Sequence, residues 1–389
     1  MYITTREELN SLCERIKSCD TLALDTEFVR ETTYYHRLGL IQVAGNGVFA
    51  VIDPILVKDL TPFLNLVKKT DIVKVFHAAK QDLEILHRLC GEVIRPVFDT
   101  QIAASVVGWG SQISFAKIVQ KVTGKKIHKA ETYTDWCRRP LSKNQIDYAM
   151  DDVRYLVPVY DKLKKVLRKM DREEWVKGEL KFLEKPETFA GPEPDRHYLK
   201  IKNIRNLQPR NLAVLNELAF WRDEEARKRD TLPKSVVRDE PLVEIARILP
   251  KDLETLSAIR GMYRKEVKKS GHRIFEVIKK GLKIPEDQYP VLPQPDGYSP
   301  QRGVEELLAA YVQIRAEELK IEPSVLADRK QIHNFARCYE LGDDVKKHYL
   351  FQGWRKDSIG SCLYSILDGK MGLAIDKKGK VNLFPTDKN

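Results

Sequence analysis

The chain has 389 residues, 42% of them hydrophobic and 32% charged, which excludes wholesale disorder and suggests two or three domains. Sixty-seven Lys and Arg against 56 Asp and Glu leave a net charge of +11. That excess favours an anionic partner such as nucleic acid only slightly over ordinary solvated surface charge. Early charges such as Arg6, Glu7 and Glu8 exclude a signal peptide, no later run is long and apolar enough for a membrane span, and the six cysteines form no CxxC pair. A cytoplasmic protein with reduced thiols and no membrane partner is expected.

Thr5 with Glu8 forms a capping-box pattern that predicts a helix through about Lys17. Strands are predicted at 21–28, 38–44 and 48–52, the last two joined by Gly45-Asn46-Gly47, which is good hairpin chemistry. A helix over 60–68 and a strand over 72–76 follow. Further helices are predicted at 80–89, 100–107, 114–122 and 142–169. Strands in a meander followed by alternating helices and strands indicate an α/β domain with a mixed central sheet flanked by helices.

Pro, Gly and Glu accumulate between 182 and 196, and Pro again between 285 and 300. The expected organisation is an α/β domain over 1–185, a linker over 186–205, a small all-α domain over 206–284, a linker over 285–300 and a second all-α domain over 301–375. The two helical segments look like copies: Leu218-Ala219, Trp221, Ala226 and Pro233 recur 90 residues later as Leu308-Ala309, Tyr311, Ala316 and Pro323. Two unrelated bundles are the alternative.

Asp25-Thr26-Glu27 ends an apolar strand, so Asp25 and Glu27 share one face. Paired carboxylates repel unless a proton or cation sits between them, and a hard divalent ion suits oxygen ligands. Two exposed acids at a strand end are the plain alternative. Asp82 falls in the first turn of the helix after His77. There it either stabilises the helix N-terminus or projects toward the Asp25 and Glu27 face. His77 is either a ligand or base, or a packing and hydrogen-bonding residue beside the site. Tyr148 and Asp152 are four apart and share a helix face, whereas Asp151 points elsewhere.

Taken together, Asp25, Glu27, Asp82 and Asp152 with Tyr148 resemble the DEDD exonuclease superfamily in its tyrosine-bearing subgroup. The run from Asp25 to Val43, with Tyr34-Tyr35 and Leu38 to Gln42, and the run from Phe98 to Ala104 resemble the bacterial ribonuclease D family. The twin helical segments are similar to HRDC domains. The resemblance implies a ribonuclease H-like exonuclease domain followed by two HRDC-like domains. It implies a 3′→5′ exoribonuclease releasing nucleoside 5′-monophosphates by two-metal-ion catalysis with Mg²⁺ or Mn²⁺. Asp25, Glu27, Asp82 and Asp152 would be the metal ligands, and Tyr148 would orient the attacking water. Thr26, Phe28 and His77 are the candidates for substrate contact, with Gln42 a weaker one. The substrate implied is structured RNA with a 3′ tail, such as transfer RNA precursors, with no obligate protein partner. Lys121, Lys125, Lys126, Lys129 and the lysines of 162–169 could track a phosphate backbone, but such runs more often form a solvated helix face. A DNA exonuclease of the same chemistry and a non-catalytic nucleic-acid adaptor remain as alternatives.

Overall fold

Apolar residues dominate 21–24 and 38–44, and these become the central strands of one six-stranded sheet. The computed structural model describes residues 1–127, 134–190, 194–292 and 300–386. Its strands are β1 (Tyr2–Ile3), β2 (Thr21–Val29), β3 (Arg37–Gly45), β4 (Val48–Ile52), β5 (Val73–Phe76) and β6 (Val97–Asp99), in the order β1-β4-β3-β2-β5-β6. β3 and β4 pair antiparallel through Asn46 and Gly47, whose φ values of 49° and 71° suit a tight hairpin turn. β1 with β4, β2 with β5 and β5 with β6 are parallel, so the sheet is mixed as expected. The two-residue β1 and three-residue β6 are additions to the sequence reading.

The helices of this part are α1 (Arg6–Ile16), α2 (Pro54–Val57), α3 (Thr61–Val67), α4 (Lys80–Cys90), α5 (Thr100–Val106), α6 (Phe115–Thr123), α7 (Lys143–Lys169) and α8 (Glu173–Leu180). α1 starts at the expected Thr5–Glu8 capping box, and α7 at a second one, Ser142–Gln145. Pleating sends Leu22, Leu24, Ile41 and Val43 into a core with Leu9 and Leu12 of α1, Phe63 of α3 and Leu83 of α4. The opposite face, with Ala23, Ala44 and Val75, packs on Val153, Leu156 and Tyr160 of α7.

By its contacts the chain divides into two units: Met1–Glu27 with Leu38–Phe189 and Gly297–Asn389, and Phe28–Arg37 with Ala190–Asp296. The second unit holds α9 (Pro209–Arg229), α10 (Pro233–Val236), α11 (Asp239–Ile248), α12 (Leu253–Ala258) and α13 (Arg264–Leu282). Its core takes Tyr198, Ile201, Ile204 and Leu207, so part of the segment read as a linker is packed structure. The stretch between β2 and β3 also belongs to this unit. There the Tyr34 hydroxyl donates to Asp223, at 3.1 Å, and accepts from Arg227, at 2.9 Å.

After residue 300, within the first unit, come α14 (Arg302–Leu319), α15 (Pro323–Leu326), α16 (Arg329–Glu340), α17 (Gly353–Arg355) and α18 (Ser361–Leu367). The repeat read in the sequence is visible here. α9, α10 and α11 correspond to α14, α15 and α16, and Asp230 and Lys320 cap their helices with left-handed φ values of 46° and 55°. The copies then diverge, because the last one ends in an antiparallel hairpin, β7 (Met371–Ile375) and β8 (Val381–Pro385). The sequence reading expected only helices there. Among the described residues no helix is long and apolar enough to cross a membrane.

The C-terminal region docks on α8 and its neighbours. Trp175 and Trp354 stack at 4.2 Å between centroids and 11° between planes. Arg172 lies over the Trp175 ring and Arg355 over the Trp354 ring. Arg172 also donates to the carbonyls of Val106 and Leu319, both at 2.7 Å. The Glu179 carboxylate accepts from Arg355, from Trp354 Nε1 at 2.9 Å and from the Tyr349 hydroxyl at 3.2 Å. Gly108, at φ +78°, meets the backbone of Lys320 so closely that a Cβ would lie 1.9 Å from its carbonyl oxygen.

Removing Glu179 leaves the nearly buried Arg355 guanidinium without its counter-ion. Glu179→Ala is expected to cost roughly 3 kcal/mol of unfolding free energy. Denaturant titration of the whole chain measures this, and a loss within error of zero would contradict it.

Candidate active site

The second half of β2 carries Asp25-Thr26-Glu27, and alternation puts the two acids on the α7 face with Thr26 on the other. The buried Thr26 hydroxyl donates to Asp82 Oδ1 at 2.5 Å. That bond fixes a carboxylate from the first turn of α4 to the middle residue of the motif. Through that bond Thr26 orients an acid. Phe28 follows on β2, with its ring 4.5 Å edge-on from His36.

α4 is held at its start by Asp99, a residue the sequence reading did not single out for the site. Its carboxylate accepts from the amides of Ala78, at 3.1 Å, and Ala79, at 2.8 Å, across the β5–α4 junction. The same group caps α5 by accepting from Gln101 N at 2.8 Å. Ala78 sits at φ +61°, a conformation costly for any residue with a Cβ, and Asp99 holds it there. The legible signal was an Asp-Thr pair closing a strand and opening a helix. His77 braces the same junction: Nδ1 lies 2.9 Å from Thr100 Oγ1 and Nε2 3.1 Å from the Ile113 carbonyl. Burial lowers the His77 pKa and so favours the neutral ring. Of the two readings offered for His77, this geometry matches hydrogen bonding beside the site.

Tyr148 and Asp152 stand one turn apart on α7. The Tyr148 ring stacks on Trp136, with centroids 6.1 Å apart and planes at 29°. Asp151 turns away and pairs with Arg154 at 2.5 Å. Lys121 lies over the Trp109 ring, Lys125 over Tyr155 and Lys164 over Tyr160. Lys129 lies outside the described residues.

Electrostatics tie the four acids into one group. Burial, followed by the charges of Asp82, Asp152 and Glu27, pushes Asp25 well above its ordinary value. Burial with Asp152 and Asp82 raises Glu27 to about 8. Asp82 is raised to about 7 by burial, against the opposing Thr26 hydrogen bond. Asp152 is raised to about 7 by burial with Asp151 and Asp82. Among the described residues no three His, Cys, Asp or Glu side chains already close around one point as a finished chelate. The donor set still suits a divalent cation: four hard oxygen acids, destabilised as anions first by burial and then by neighbouring carboxylates, gain most from a positive charge. Gln42, on β3, is fully buried and both its side-chain polar atoms lack a partner among the described residues. By the pleat it shares the acid-bearing face with Leu40 and Ala44.

A family model described as 3′-5′ exonuclease matches residues 1–168, and an HRDC domain model matches residues 211–278. Ribonuclease D of Bartonella henselae is 37% identical over 385 residues, covering 98% of this chain and 93% of that protein. The chain belongs to the ribonuclease D family. Ribonuclease D of Nitrobacter hamburgensis is 34% identical over 377 residues, covering 96% of this chain and 97% of that protein. The crystal structure of Escherichia coli RNase D, described as an exoribonuclease involved in structured RNA processing, superposes with a TM-score of 0.82 at 33% identity. That match covers 95% of this chain and 98% of the other. As a member of the ribonuclease D family the chain is a 3′→5′ exoribonuclease, built of an exonuclease domain, an HRDC domain and a helical C-terminal region. The family is divalent-metal dependent.

The raised carboxyl pKa values carry a sign that can be measured. A carboxyl with a raised folded pKa binds more protons folded than unfolded, from the ordinary carboxylate range up to about 8 for Glu27. Stability of the metal-free protein therefore falls as pH rises through that window. With EDTA present, the Tm at pH 6 should exceed that at pH 8, and Mn²⁺ at pH 8 should recover the difference. Asp152→Asn should flatten both responses. An EDTA profile that is flat, or that rises with pH, would contradict the clustering.

Proposed function

We propose that this ribonuclease D family member trims structured RNA, transfer RNA precursors among them, from the 3′ end and releases nucleoside 5′-monophosphates. Asp25, Glu27, Asp82 and Asp152 are its metal ligands and Tyr148 orients the attacking water. The observation that carries the reading is the burial of four acids from β2, α4 and α7 near enough to one another that the charges of Asp82 and Asp152 add to the upward push on their neighbours. Two divalent ions, Mg²⁺ or Mn²⁺, would supply neutralisation of these acids, activation of water and stabilisation of the leaving 3′ oxygen.

The chain's own residues do the rest. Thr26 holds the Asp82 carboxylate in one rotamer, while Asp99 and His77 hold the turn from which α4 starts. Tyr148 presents its hydroxyl one helical turn before Asp152. Orientation suits it better than base catalysis, because a phenol is protonated at neutral pH. Phe28, directly after Glu27, is the candidate to stack on the terminal base. The domains proposed are the nuclease over 1–185, an HRDC domain over 206–284 and a second module of that type over 301–375. We place the protein in the cytosol, acting without an obligate protein partner.

The test is incubation of 5′-labelled single-stranded RNA and matched DNA with Mg²⁺, Mn²⁺ or EDTA. RNA should shorten from its 3′ end only with metal, and Asp152→Asn should slow this by about two orders of magnitude or more. Near-normal rates in that variant would sink the site assignment. Equal shortening of DNA would change the substrate and keep the mechanism. A lack of metal-dependent shortening of either would leave a nucleic-acid adaptor.

A further inference from the structure

Tyr148 has two rotatable side-chain bonds and stands near the start of α7, so contacts from outside its own helix help to aim its hydroxyl. The face it stacks on is Trp136, which is 3% exposed and packs with Leu40, Val51, Ala149 and Met150. Trp136 lies in the segment that leads into α7, not in a regular element, so its position must be fixed by tertiary contacts.

Those contacts converge on Arg139. Its Nε lies 2.5 Å from Asp53 Oδ2 and its Nη2 2.9 Å from Asp53 Oδ1. Nη2 also donates to the Gly39 carbonyl, and Nη1 to the carbonyls of Trp136 and Arg138, each at 2.8 Å. All five guanidinium N–H donors are thereby used, a pattern an ammonium group cannot reproduce. Asp53 is fully buried and further fixed by the Tyr2 hydroxyl, at 2.5 Å, and by the Ile55 and Leu56 amides. Gly39 completes the joint: a Cβ there would lie 2.6 Å from the Trp136 carbonyl oxygen, so the close approach requires glycine. The segment carrying Trp136 is thus riveted to β3 and to the end of β4.

We infer that Trp136, fixed by the Asp53–Arg139–Gly39 joint, is the positioning residue that walls one face of the Tyr148 ring, restricts its swing about the Cα–Cβ bond and so fixes where its hydroxyl sits. Trp136 and Arg139 act through Tyr148, and their contribution exists only while that hydroxyl has work to do. The inference rests on the reading of Tyr148 as the water-orienting group. A hydroxyl displaced by about an ångström loses roughly 10–100-fold in rate.

The experiment is a double-mutant cycle in the full-length protein, with RNA as substrate and saturating Mn²⁺. It reads single-turnover rate and KM for wild type, Trp136→Leu, Tyr148→Phe and the double variant. Trp136→Leu should lower the rate about 10–100-fold with KM little changed, and should cost almost nothing more in the Tyr148→Phe background. An equal loss in both backgrounds, an unchanged rate in Trp136→Leu alone, or a loss confined to KM would overturn the inference. A Tyr148→Phe variant with full activity would instead sink the reading of Tyr148, a separate outcome. If Trp136→Leu does not fold, Arg139→Lys replaces it in the same cycle, with Trp136→Phe as the variant that keeps a stacking face and should restore most of the rate.

Discussion

Repulsion among Asp25, Glu27, Asp82 and Asp152 is the condition the catalytic unit has to withstand. Each acid is largely or wholly removed from water, and the charges of Asp82, Asp152 and Glu27 add to the proton affinity of their neighbours. A flexible surface would relieve that energy by moving the groups apart. Here the acids are rooted in a central strand, a helix N-terminus and a long helix, all packed against one sheet, and they cannot separate without unpacking it. The stored repulsion becomes an affinity for positive charge.

Rigidity of that kind has to come from groups standing behind the acids. Asp99 accepts from amides at the starts of two successive helices and holds Ala78 in a left-handed conformation. Thr26 fixes Asp82, and Arg139, in the segment before α7, uses its full set of donors on Asp53, Gly39, Trp136 and Arg138. None of these needs to touch substrate. Their common property is that one side chain joins two or three elements, so that error in one element is shared by all.

The sheet and the acids were legible in the sequence for the same reason. Short β-rich runs marked β2 to β5, and the two-residue period of a strand put Asp25 and Glu27 on one face. The spacing of Tyr148 and Asp152 put them on one side of α7 in the same way. What escaped lacks a local signature. β1 and β6 are too short to carry a period, and they exist only because β4 and β5 offer edges to pair with. The Asp53–Arg139 pair joins residues 86 apart, and the Thr26–Asp82 bond residues 56 apart. Composition marked 186–205 as linker because of its Pro, Gly and Glu, yet Tyr198, Ile201 and Ile204 at its end are buried. The C-terminal hairpin was missed because the repeat register, once found, argued for helices through 375, and 376 onward received no reading.

The docking of the C-terminal region on α8 bears on how fragments of this chain behave. Trp175 owes its cover to Trp354, and Arg172 satisfies one carbonyl on each side of the joint. A fragment ending before α14 would bare an indole face, strand the Arg172 donors and leave Glu179 without its cation. Such a truncation would be prone to self-association and early melting. Its weakened activity would then describe a damaged nuclease surface, not the loss of a detachable RNA-gripping arm.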